Sequence, residues 1–492
     1  MFFAQRSAPF PSVHGFSLGL LIALTGCGGG GGSAPSAPPP VTPPVVTSLP
    51  GIRLSAASPF VAGCDGAVAV GTLYVNAEVE PSVAVNPANP ANLVAAWQQD
   101  RWSDGGARGL VTASSFDSGR SWTRTTPLVA HCAGGAVNNG ADFERASDPW
   151  LTFAADGTVY MMSLSFTGAT FVSGSTGAML VLRSSDGGAS WSSPIPLIND
   201  GSAFFDDKGA IAADNVDAHV VYAVWDRLTA NNSGPIYFAR TIDSGTSWQP
   251  ARAIYDPGVG NQTIGNIPVS LPGGALMVVF TEFDATPQGT TATLKVIRSS
   301  DRGMTWSAPS AIAPEQSAPL RDPNTNTMVR DGAGLPSVAV DGGGRVYVVW
   351  QSSSFSNGQR DAIAISHSTD AGQTWSMPTR VSGSLTSAAF IPNVHVRGDG
   401  TLGVGYYDLR SNVPSSGKFQ ADYWLATSLD GATWLDTHVS GPFPLGGAPN
   451  AEGLFLGDYQ ALTSSGGEFL PVFVTASADA ANRTDVFIAF AP

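Results

Sequence analysis

Six aspartates recur in one short motif, and a carboxylate repeated beside a glycine and a hydroxyl is a first candidate for acid–base chemistry. The copies are SFDSGRSW (115–122), SSDGGASW (184–191), TIDSGTSW (241–248), SSDRGMTW (299–306), STDAGQTW (368–375) and SLDGATW (428–434), with Asp117, Asp186, Asp243, Asp301, Asp370 and Asp430 at their centres. Six near-identical turns cannot all be one active site. The motif instead predicts a structural hairpin turn, in which the carboxylate accepts backbone N–H groups and the glycine supplies a positive φ.

Other catalytic signatures are weak. The histidines (His131, His219, His367, His395 and His438) show no metal-ligand spacing. GFSLG (15–19) matches G-x-S-x-G but lies inside an export signal, and there is no phosphate-binding loop or dinucleotide fingerprint. The sequence therefore predicts neither a metal nor a cofactor.

The spacing of the aspartates predicts the fold. They lie 57 to 69 residues apart, and short apolar runs precede each one. In the fifth unit these runs are 335–340, 345–351 and 361–368, and a further strand is predicted near 375–381. Four antiparallel strands repeated around an axis are typical of an all-β propeller.

The strand starts predict seven blades, with six as the alternative. Opening strands recur near Pro81, Trp150, Gly209, Ile267, Pro336, Pro392 and Asp458, one more than the aspartate motifs. The last unit offers three strands, at 459–463, 468–476 and 484–490. Its outer strand would come from residues 52–55, which would close the ring and remove an exposed sheet edge.

The aspartate motifs also predict which face carries function. In an up-and-down meander, loops between the second and third strands share a face with the loops between blades, opposite the aspartate turns. Charged residues gather in these loops, although loops are polar in general. Examples are QQDRWSDGGA (98–107), DFERASD (142–148), FFDDKG (204–209), WDRL (225–228), RDPNTNTMVRDG (321–332), QSSSFSNGQRD (351–361), YYDLRSN (406–412) and NAEGLFLGD (450–458).

The first 27 residues are typical of a bacterial lipoprotein signal. The apolar stretch 16–24 is too short to span a bilayer, and Leu24-Thr25-Gly26-Cys27 resembles a lipobox with Cys27 as the lipidated residue. Residues 28–50 form a Gly/Pro-rich tether, and 51–492 form the propeller domain. We expect a monomer exported to the cell envelope, held at the outer membrane or cell surface by its lipid anchor only.

The net charge and the cysteines indicate which binding partners and which cellular compartment to expect. The net charge of −14 argues against a nucleic-acid partner. Apart from Cys27, the chain contains Cys64 and Cys132, which predict a disulfide in an oxidising compartment; two separate buried thiols are the alternative.

The S-x-D-x-G-x-[ST]-W motifs resemble those of Asp-box (bacterial neuraminidase repeat) proteins, and residues 78–490 resemble the sialidase superfamily. That resemblance implies a tyrosine nucleophile with a glutamate partner, an aspartate acid/base and an arginine clamp for the sugar carboxylate. On matching stretches, Asp104 would be the acid/base, Tyr459 the nucleophile and Glu452 its partner. The arginines that would bind substrate are Arg101, Arg145, Arg227, Arg360 and Arg410.

The chain departs from this family at the first blade. Where sialidases have Arg-Ile-Pro, the sequence reads Val79-Glu80-Pro81, so a clamp arginine is absent and a carboxylate stands nearby. The resemblance therefore predicts a sialidase-like glycoside hydrolase of the exo-sialidase type that acts on extracellular glycans, and it leaves activity open. A non-catalytic propeller that binds glycan or protein, or a purely structural surface protein, remains an alternative.

Overall fold

A computed structural model describes residues 48–67, 71–231, 233–413 and 416–492. The predicted signal segment, Cys27 and most of the tether lie outside these residues. In the described part the chain is almost entirely β, and it contains no helix long and apolar enough to cross a membrane. It includes 3-10 turns of three or four residues at His131–Ala133, Val137–Asn139, Ser353–Ser356 and Leu445–Gly447.

Apart from two short strands, the strands form seven antiparallel groups of four, and single residue pairs, Ala107 with Ala146 and Ala77 with Thr484, join the first group to the second and to the seventh in one 12-stranded sheet. One short strand near the start of the described chain, β1 (Gly51–Arg53), belongs to the last group. The first three groups are β2 (Leu73–Val85), β3 (Leu93–Trp102), β4 (Ala107–Ser115) and β5 (Thr123–Thr125); β6 (Arg145–Phe153), β7 (Val159–Thr167), β8 (Thr176–Ser184) and β9 (Ile195–Gly201); and β10 (Phe204–Ala213), β11 (Val221–Thr229), β12 (Ile236–Thr241) and β13 (Arg252–Tyr255).

The fourth to sixth groups follow the same order. They are β14 (Gln262–Ser270), β15 (Leu276–Thr286), β16 (Gly289–Ser299) and β17 (Ser310–Glu315); after β18 (Val329–Arg330), β19 (Ser337–Val340), β20 (Val346–Ser352), β21 (Ala362–Ser368) and β22 (Thr379–Arg380); and β23 (Ala389–Val396), β24 (Leu402–Asp408), β25 (Gln420–Ser428) and β26 (Leu435–Pro444). Next comes β27 (Leu454–Phe455), which pairs in parallel with β18.

The seventh group combines both ends of the described chain. It contains β28 (Ala461–Ser465), β29 (Glu468–Ala476) and β30 (Thr484–Ala489), and β1 completes it by pairing Gly51 with Ala489 and Arg53 with Phe487. The outer strand expected at 52–55 is thus present at this edge, shifted by one to two residues. The first strands of successive groups contact one another from β2 through to β28, and β28 contacts β2.

Apolar clusters lie between neighbouring groups and account for their order. Val94 of β3 and Met161 of β7 share one cluster, and Val279 of β15 and Val348 of β20 share another. The tryptophans of the aspartate motifs pack against these clusters. Trp191, for example, donates from Nε1 to Thr112 of the preceding group at 3.0 Å. Each group is therefore held by the group before it as well as by its own pairing.

The aspartate motifs form the turns between third and fourth strands. In the second copy Asp186 accepts hydrogen bonds from Ser190 N at 3.0 Å and Ser190 Oγ at 2.5 Å, while Gly188, at φ +88°, donates to Ser184 Oγ. Hydrogen bonds from a serine hydroxyl and backbone lower the pKa of Asp117 to about 2. These contacts give the carboxylates a structural part in the hairpin.

Candidate functional site

The first strands of three successive groups place charged side chains by means of β-bulges. The pairing register shifts between Val79 and Ser82 in β2, between Ser147 and Trp150 in β6, and between Asp207 and Ala210 in β10. The bulge residues Glu80, Asp148 and Lys208 have φ values of +54°, +52° and +47°. A proline or glycine follows each of them, because an unpaired bulge position tolerates a missing N–H or a missing side chain. A left-handed backbone conformation costs conformational free energy in residues other than glycine, and such strain is concentrated at functional sites.

The three bulge side chains meet at one ammonium group. Lys208 Nζ lies 2.6 Å from Asp458 Oδ2, 3.3 Å from Asp148 Oδ2 and 3.5 Å from Glu80 Oε1. The four side chains are exposed by only 1% for Glu80, 4% for each aspartate and 5% for Lys208. Asp458 lies just before β28 of the seventh group, so four groups contribute to one buried centre. We call these four residues the central cluster.

Polar neighbours orient the carboxylates. Gln98 contacts Glu80 Oε2 through its amide nitrogen and also donates to Ser147 Oγ at 2.9 Å. Ser147 in turn donates to Asp148 Oδ1 at 2.5 Å, and the backbone N–H of Asp458 donates to Glu80 Oε1 at 3.2 Å. Glu80 and Asp148 are therefore joined through Gln98 and Ser147 as well as through the lysine.

Two arginines border the central cluster. Arg330 of β18 donates from Nε to Asp458 Oδ1 at 2.7 Å and from Nη2 to the other carboxylate oxygen. Arg101 of β3 donates to Gln98 Oε1 at 2.7 Å, and its buried Nε has no hydrogen-bond partner among the described residues. Both guanidinium groups lie over the ring of Phe455, at 4.8 Å for Arg101 and 4.4 Å for Arg330. The fully buried Phe455 ring is thus shared by two cations.

The environment separates the pKa values of the cluster carboxyl groups. Burial raises the pKa of Glu80 to about 8, although Lys208 opposes the shift. Burial also opposes ionisation of Asp148 and Asp458, but their pKa values end below the usual range. Lys208 and a hydrogen bond from Ser147 lower that of Asp148, and Arg330 with Lys208 lower that of Asp458. At neutral pH the centre therefore holds one protonated carboxyl group beside two ionised ones.

Further carboxylates surround the lysine from β10 and β11. Asp207 and Asp226 are directly opposed partners in the two strands. Burial raises the pKa of Asp207 to about 6, and burial with the charge of Asp207 raises the pKa of Asp226 well above its usual value. Counting these two, five carboxyl groups face the three cations Lys208, Arg101 and Arg330. Because Glu80 is protonated at neutral pH and the pKa of Asp226 is raised, these carboxyl groups do not all carry a negative charge.

Two residues predicted from sequence lie at this centre. Arg101 borders it as described, and Tyr459 follows Asp458, with Lys208 Nζ 6.0 Å from its ring centroid. The Tyr459 hydroxyl donates to the Pro149 carbonyl at 3.3 Å. Burial, together with Glu80 and Asp148, raises the pKa of Tyr459 well above its usual value, which opposes formation of a phenolate there.

The other predicted residues occupy separate places. Asp104 pairs with Arg145, whose Nη1 lies 2.8 Å from Oδ1, and Glu452 is exposed in the segment before β27. Arg227 binds Asp200 through two nitrogens at 2.6 and 2.7 Å. The structure thus joins Asp104 to Arg145 and places both apart from the contacts of Tyr459.

The last two predicted arginines belong to the fifth and sixth groups. Arg410 contacts Asp408, donates to Asp436 at 2.9 Å and lies 3.6 Å from the Trp424 ring centroid. Arg360 donates to the Leu385 carbonyl at 2.9 Å and lines a cavity of about 50 Å³ that also contains Asp331 and Asp361. The contacts of these two arginines are local and do not assemble a clamp with Arg101.

Sequence reasoning missed the roles of Lys208, Asp148, Asp458 and Arg330, which appeared only as members of charged loops or, for Asp458, also as the start of a strand. A signal was present. Glu80-Pro81, Asp148-Pro149 and Lys208-Gly209 occupy the same position in successive opening strands, where the sixth group has the apolar pair Ile391-Pro392. Among the residues the structure describes, no set of three or more His, Cys, Asp and Glu side chains has the geometry to hold a metal ion.

The cysteine prediction is confirmed: Cys64 and Cys132 form a disulfide with a Cα–Cα distance of 4.9 Å. Next to it, Asp65 pairs with Arg108 at 3.3 Å. The Cys64–Cys132 disulfide joins the segment that follows β1 to the connection between the first and second groups.

Comparison with known proteins gives likenesses in structure alone. No protein-family model and no curated protein sequence matches the chain. A protein of unknown function from Dyadobacter fermentans DSM 18053 aligns with 86% of this chain and 98% of its own, at 15% identity and a TM-score of 0.46. Trypanosoma rangeli sialidase in complex with the inhibitor DANA aligns with 69% of this chain, at 14% identity and a TM-score of 0.44.

This chain spans about half of that sialidase, 54% of its length. An α-L-arabinanase from Penicillium chrysogenum, complexed with arabinobiose, aligns with 72% of this chain and 95% of its own, at 12% identity and a TM-score of 0.42. The similar structures thus include both sialidases and arabinanases. At these scores they carry no conclusion about the activity of this chain.

Proposed function

We propose that this protein is an exported seven-bladed β-propeller that hydrolyses glycosidic bonds with the carboxyl groups of its central cluster. The seven groups of four strands support the blade count, and the contacts of their first strands from β2 round to β28 support a closed ring. The bulge residues lie in the middle of these strands: Glu80 is the eighth of the 13 residues of β2, Asp148 the fourth of the nine of β6 and Lys208 the fifth of the ten of β10.

One observation carries the proposal: three buried carboxyl groups converge on Lys208 with pKa values shifted in opposite directions. Most glycoside hydrolases need one carboxyl group that donates a proton to the leaving oxygen and one ionised carboxylate that attacks or activates water. Glu80 holds the proton at neutral pH and is suited to the first role. Paired carboxyl groups with separated pKa values are the usual mark of such a division.

Asp148 is better suited than Asp458 to the second role. Asp458 is held by two nitrogens of Arg330 and by Lys208, which together withdraw its electron density. Asp148 Oδ1 accepts from Ser147, and its Oδ2 faces Lys208 at the longer distance of 3.3 Å. We therefore assign Asp148 as nucleophile or base and Asp458 as the group that positions Lys208 and Arg330.

The ion pairs of the centre favour neutral sugars over sialate. Lys208 and Arg330 are already paired with the Asp458 carboxylate, so they are poorly placed to bind the carboxylate of an anionic sugar. The arginines expected to clamp a sugar carboxylate are engaged elsewhere: Arg227 by Asp200, and Arg410 by Asp408 and Asp436. The proposal therefore covers exo-acting hydrolysis of neutral glycosides and does not extend to an exo-sialidase.

A pair of neighbouring glutamates tests the assignment. Glu80 and Glu78 are both buried in β2, but Glu78 contacts Gln99 at 2.6 Å and lies outside the central cluster. On a panel of fluorogenic glycosides, Glu80→Gln should lower kcat by about 10²- to 10⁴-fold, the usual range for loss of a general acid. Glu78→Gln should retain wild-type turnover. Equal activity in the two variants, or no turnover of any glycoside by the wild type, would overturn the proposal.

A non-catalytic propeller that binds glycan is the second candidate. It is favoured by one observation: the charged groups of the central cluster are paired with one another and at most 5% exposed. Such a network can serve as a structural core for a binding face. Retention on a glycan array without release of reducing sugar, unchanged by Glu80→Gln, would select this function.

We also propose that a lipid on Cys27 holds the protein at the cell envelope. The support is the sequence resemblance of residues 24–27 to a lipobox, followed by the Gly/Pro-rich tether. Metabolic labelling with an alkyne fatty acid should mark the full-length protein and not the Cys27→Ser variant. Equal labelling of both proteins would refute the anchor.

A further inference from the structure

We propose that β18 and β27 form a lid over the central cluster and that this lid must open to admit a substrate. The inference rests on the proposed function, since it concerns access to the same site. We call residues 328–334 and 449–457, which contain the two strands, the cap. The cap comes from the long connections that precede the fifth and the seventh groups.

In the closed state the carboxyl groups of the central cluster are almost fully buried. Glu80 is 1% exposed and Asp148 4%, and Phe455 of the cap is fully buried. The cap also packs directly on the bulge strand, because Phe455 and Ala451 form an apolar cluster with Val79. A substrate that meets Glu80 must therefore displace cap residues.

The cap is joined to the rest of the chain by a small set of polar bonds and by apolar packing. Val329 N donates to the Leu320 carbonyl at 2.9 Å, Gln460 donates to the Leu456 carbonyl at 3.0 Å, and Val329, Leu454 and Leu456 lie in one apolar cluster with Trp97. The two cap strands share two pairs of residues, Val329 with Leu454 and Arg330 with Phe455, and Leu454 N donates to the Met328 carbonyl at 2.8 Å. The ion pair between Arg330 and Asp458 provides the main polar link to the central cluster. Local opening must break these contacts together with the Arg330–Asp458 ion pair, but the two cap strands share only two residue pairs, so we expect opening to cost less than global unfolding.

In the closed state the positive charges of Arg101 and Arg330 lie close together, and their repulsion opposes the ion pair between Arg330 and Asp458. Arg330 approaches the same Phe455 ring as Arg101, and Arg101 has a buried Nε without a hydrogen-bond partner in the described part of the chain. Burial, followed by the charge of Arg330, lowers the pKa of Arg101. Opening separates the two guanidinium groups and gives Arg101 access to water, which reduces the free-energy difference between the closed and the open state.

Glycines at the edges of the cap allow its backbone to turn. Gly453 and Gly457 enclose β27 with φ values of +145° and +111°, and Gly332 follows β18 at +72°. A Cβ on Gly457 would come within 2.6 Å of the Glu80 backbone nitrogen, and one on Gly332 within 2.7 Å of the Asp458 carbonyl. These positions combine close contact with the central cluster and a backbone conformation suited to a hinge.

Hydrogen exchange on the full-length protein tests the lid without any substrate. Amides in 449–457 should exchange at least 100-fold faster than those of β3 and β7, because they open locally. Arg330→Gln should accelerate exchange of 449–457 by at least a further tenfold and leave β3 unchanged. Arg330→Lys keeps the charge and loses the two-nitrogen contact, so its exchange rate in 449–457 should lie between those of the wild type and of Arg330→Gln.

Arg397→Gln is the matched control. Arg397 also binds an aspartate through two nitrogens, Asp399, and lies 5.0 Å from a phenylalanine ring centroid, that of Phe469. Its loss should leave exchange of the cap unchanged. Cap amides that exchange as slowly as β3, or that respond equally to Arg330→Gln and Arg397→Gln, would overturn the lid. Absence of hydrolysis with the predicted exchange pattern would instead count against the proposed function alone.

Discussion

Replacement of Lys208 by methionine is the sharpest perturbation that the central cluster offers. The substitution keeps an unbranched side chain of similar length and removes the ammonium that lies 2.6 Å from Asp458, 3.3 Å from Asp148 and 3.5 Å from the carboxyl group of Glu80, which is protonated at neutral pH. At an effective dielectric constant of about 20, each contact with an ionised aspartate corresponds to about 5–6 kcal/mol before desolvation is counted. Desolvation offsets much of that sum. Removal of one partner from a buried ionic group costs about 3–5 kcal/mol, which is the loss of unfolding free energy we expect at pH 8.

The loss should depend on pH. Without Lys208, the pKa values of Asp148 and Asp458 rise, because the charge that lowered them is gone. Folded-state pKa values above the unfolded values mean that the folded variant binds protons that the unfolded chain releases. Its stability then falls as pH rises through those values. The difference between wild type and Lys208→Met should therefore be smaller at pH 5 than at pH 8.

Urea unfolding of the disulfide-intact protein at both pH values measures this difference. Lys295→Met is the control, since Lys295 Nζ pairs with Glu282 at 2.7 Å on β16 but is 20% exposed and remote from the bulge strands. We expect a smaller loss for Lys295→Met and little change in that loss with pH. If the two variants lose equal stability, or if the Lys208→Met loss is the same at pH 5 and pH 8, the lysine does not hold the carboxylates as argued here.

Three further outcomes follow from the same contacts. The unfolding free energy of the wild type should fall as pH rises from about 4.5 to about 8, because Glu80 keeps its proton in the folded state and loses it in the unfolded chain. In urea titrations, Glu80→Gln should reduce this dependence on pH, whereas the control Glu468→Gln should leave it unchanged. Replacing both Cys64 and Cys132 by serine should cost about 4 kcal/mol, from the entropy of a loop closed over a separation of 68 residues, and calorimetry of the variant should show a lower Tm. Tyr459→Phe should retain kcat within about threefold, since the hydroxyl donates only to a backbone carbonyl at 3.3 Å; a loss of about 100-fold would restore the tyrosine as nucleophile.

The repeat made much of the strand pattern predictable from the sequence. The aspartate turns mark the junction of third and fourth strands, so the neighbouring apolar runs could be assigned in order. Because six turns faced seven strand starts, the outer strand of the last group had to come from elsewhere, and β1 fills that place. Strand ends were less accurate. The first strand of the fifth group was predicted from residue 335 but begins at Ser337, after Pro336, which has no N–H to donate.

The site was less predictable because its geometry depends on bulges and on burial. Lys208 and Asp458 are 250 residues apart, and their contact follows only when the first strands of the third and seventh groups face a common centre. Strands of two residues such as β18 and β27 give no periodic signal, so the cap was read as loop. Resemblance picked out Arg227 and Arg410 by their positions in charged loops, whereas their side chains satisfy local aspartates.

Infrared difference spectroscopy offers the most direct test of the claim that the centre of this molecule stores a catalytic proton. A protonated carboxyl group has a carbonyl band distinct from that of a carboxylate, and subtracting the spectrum of Glu80→Gln isolates the contribution of Glu80. We predict a protonated-carboxyl band at pH 6.5 that disappears as pH rises through about 8. A difference spectrum with only carboxylate bands at pH 6.5 would show that Glu80 is ionised there and would contradict the account.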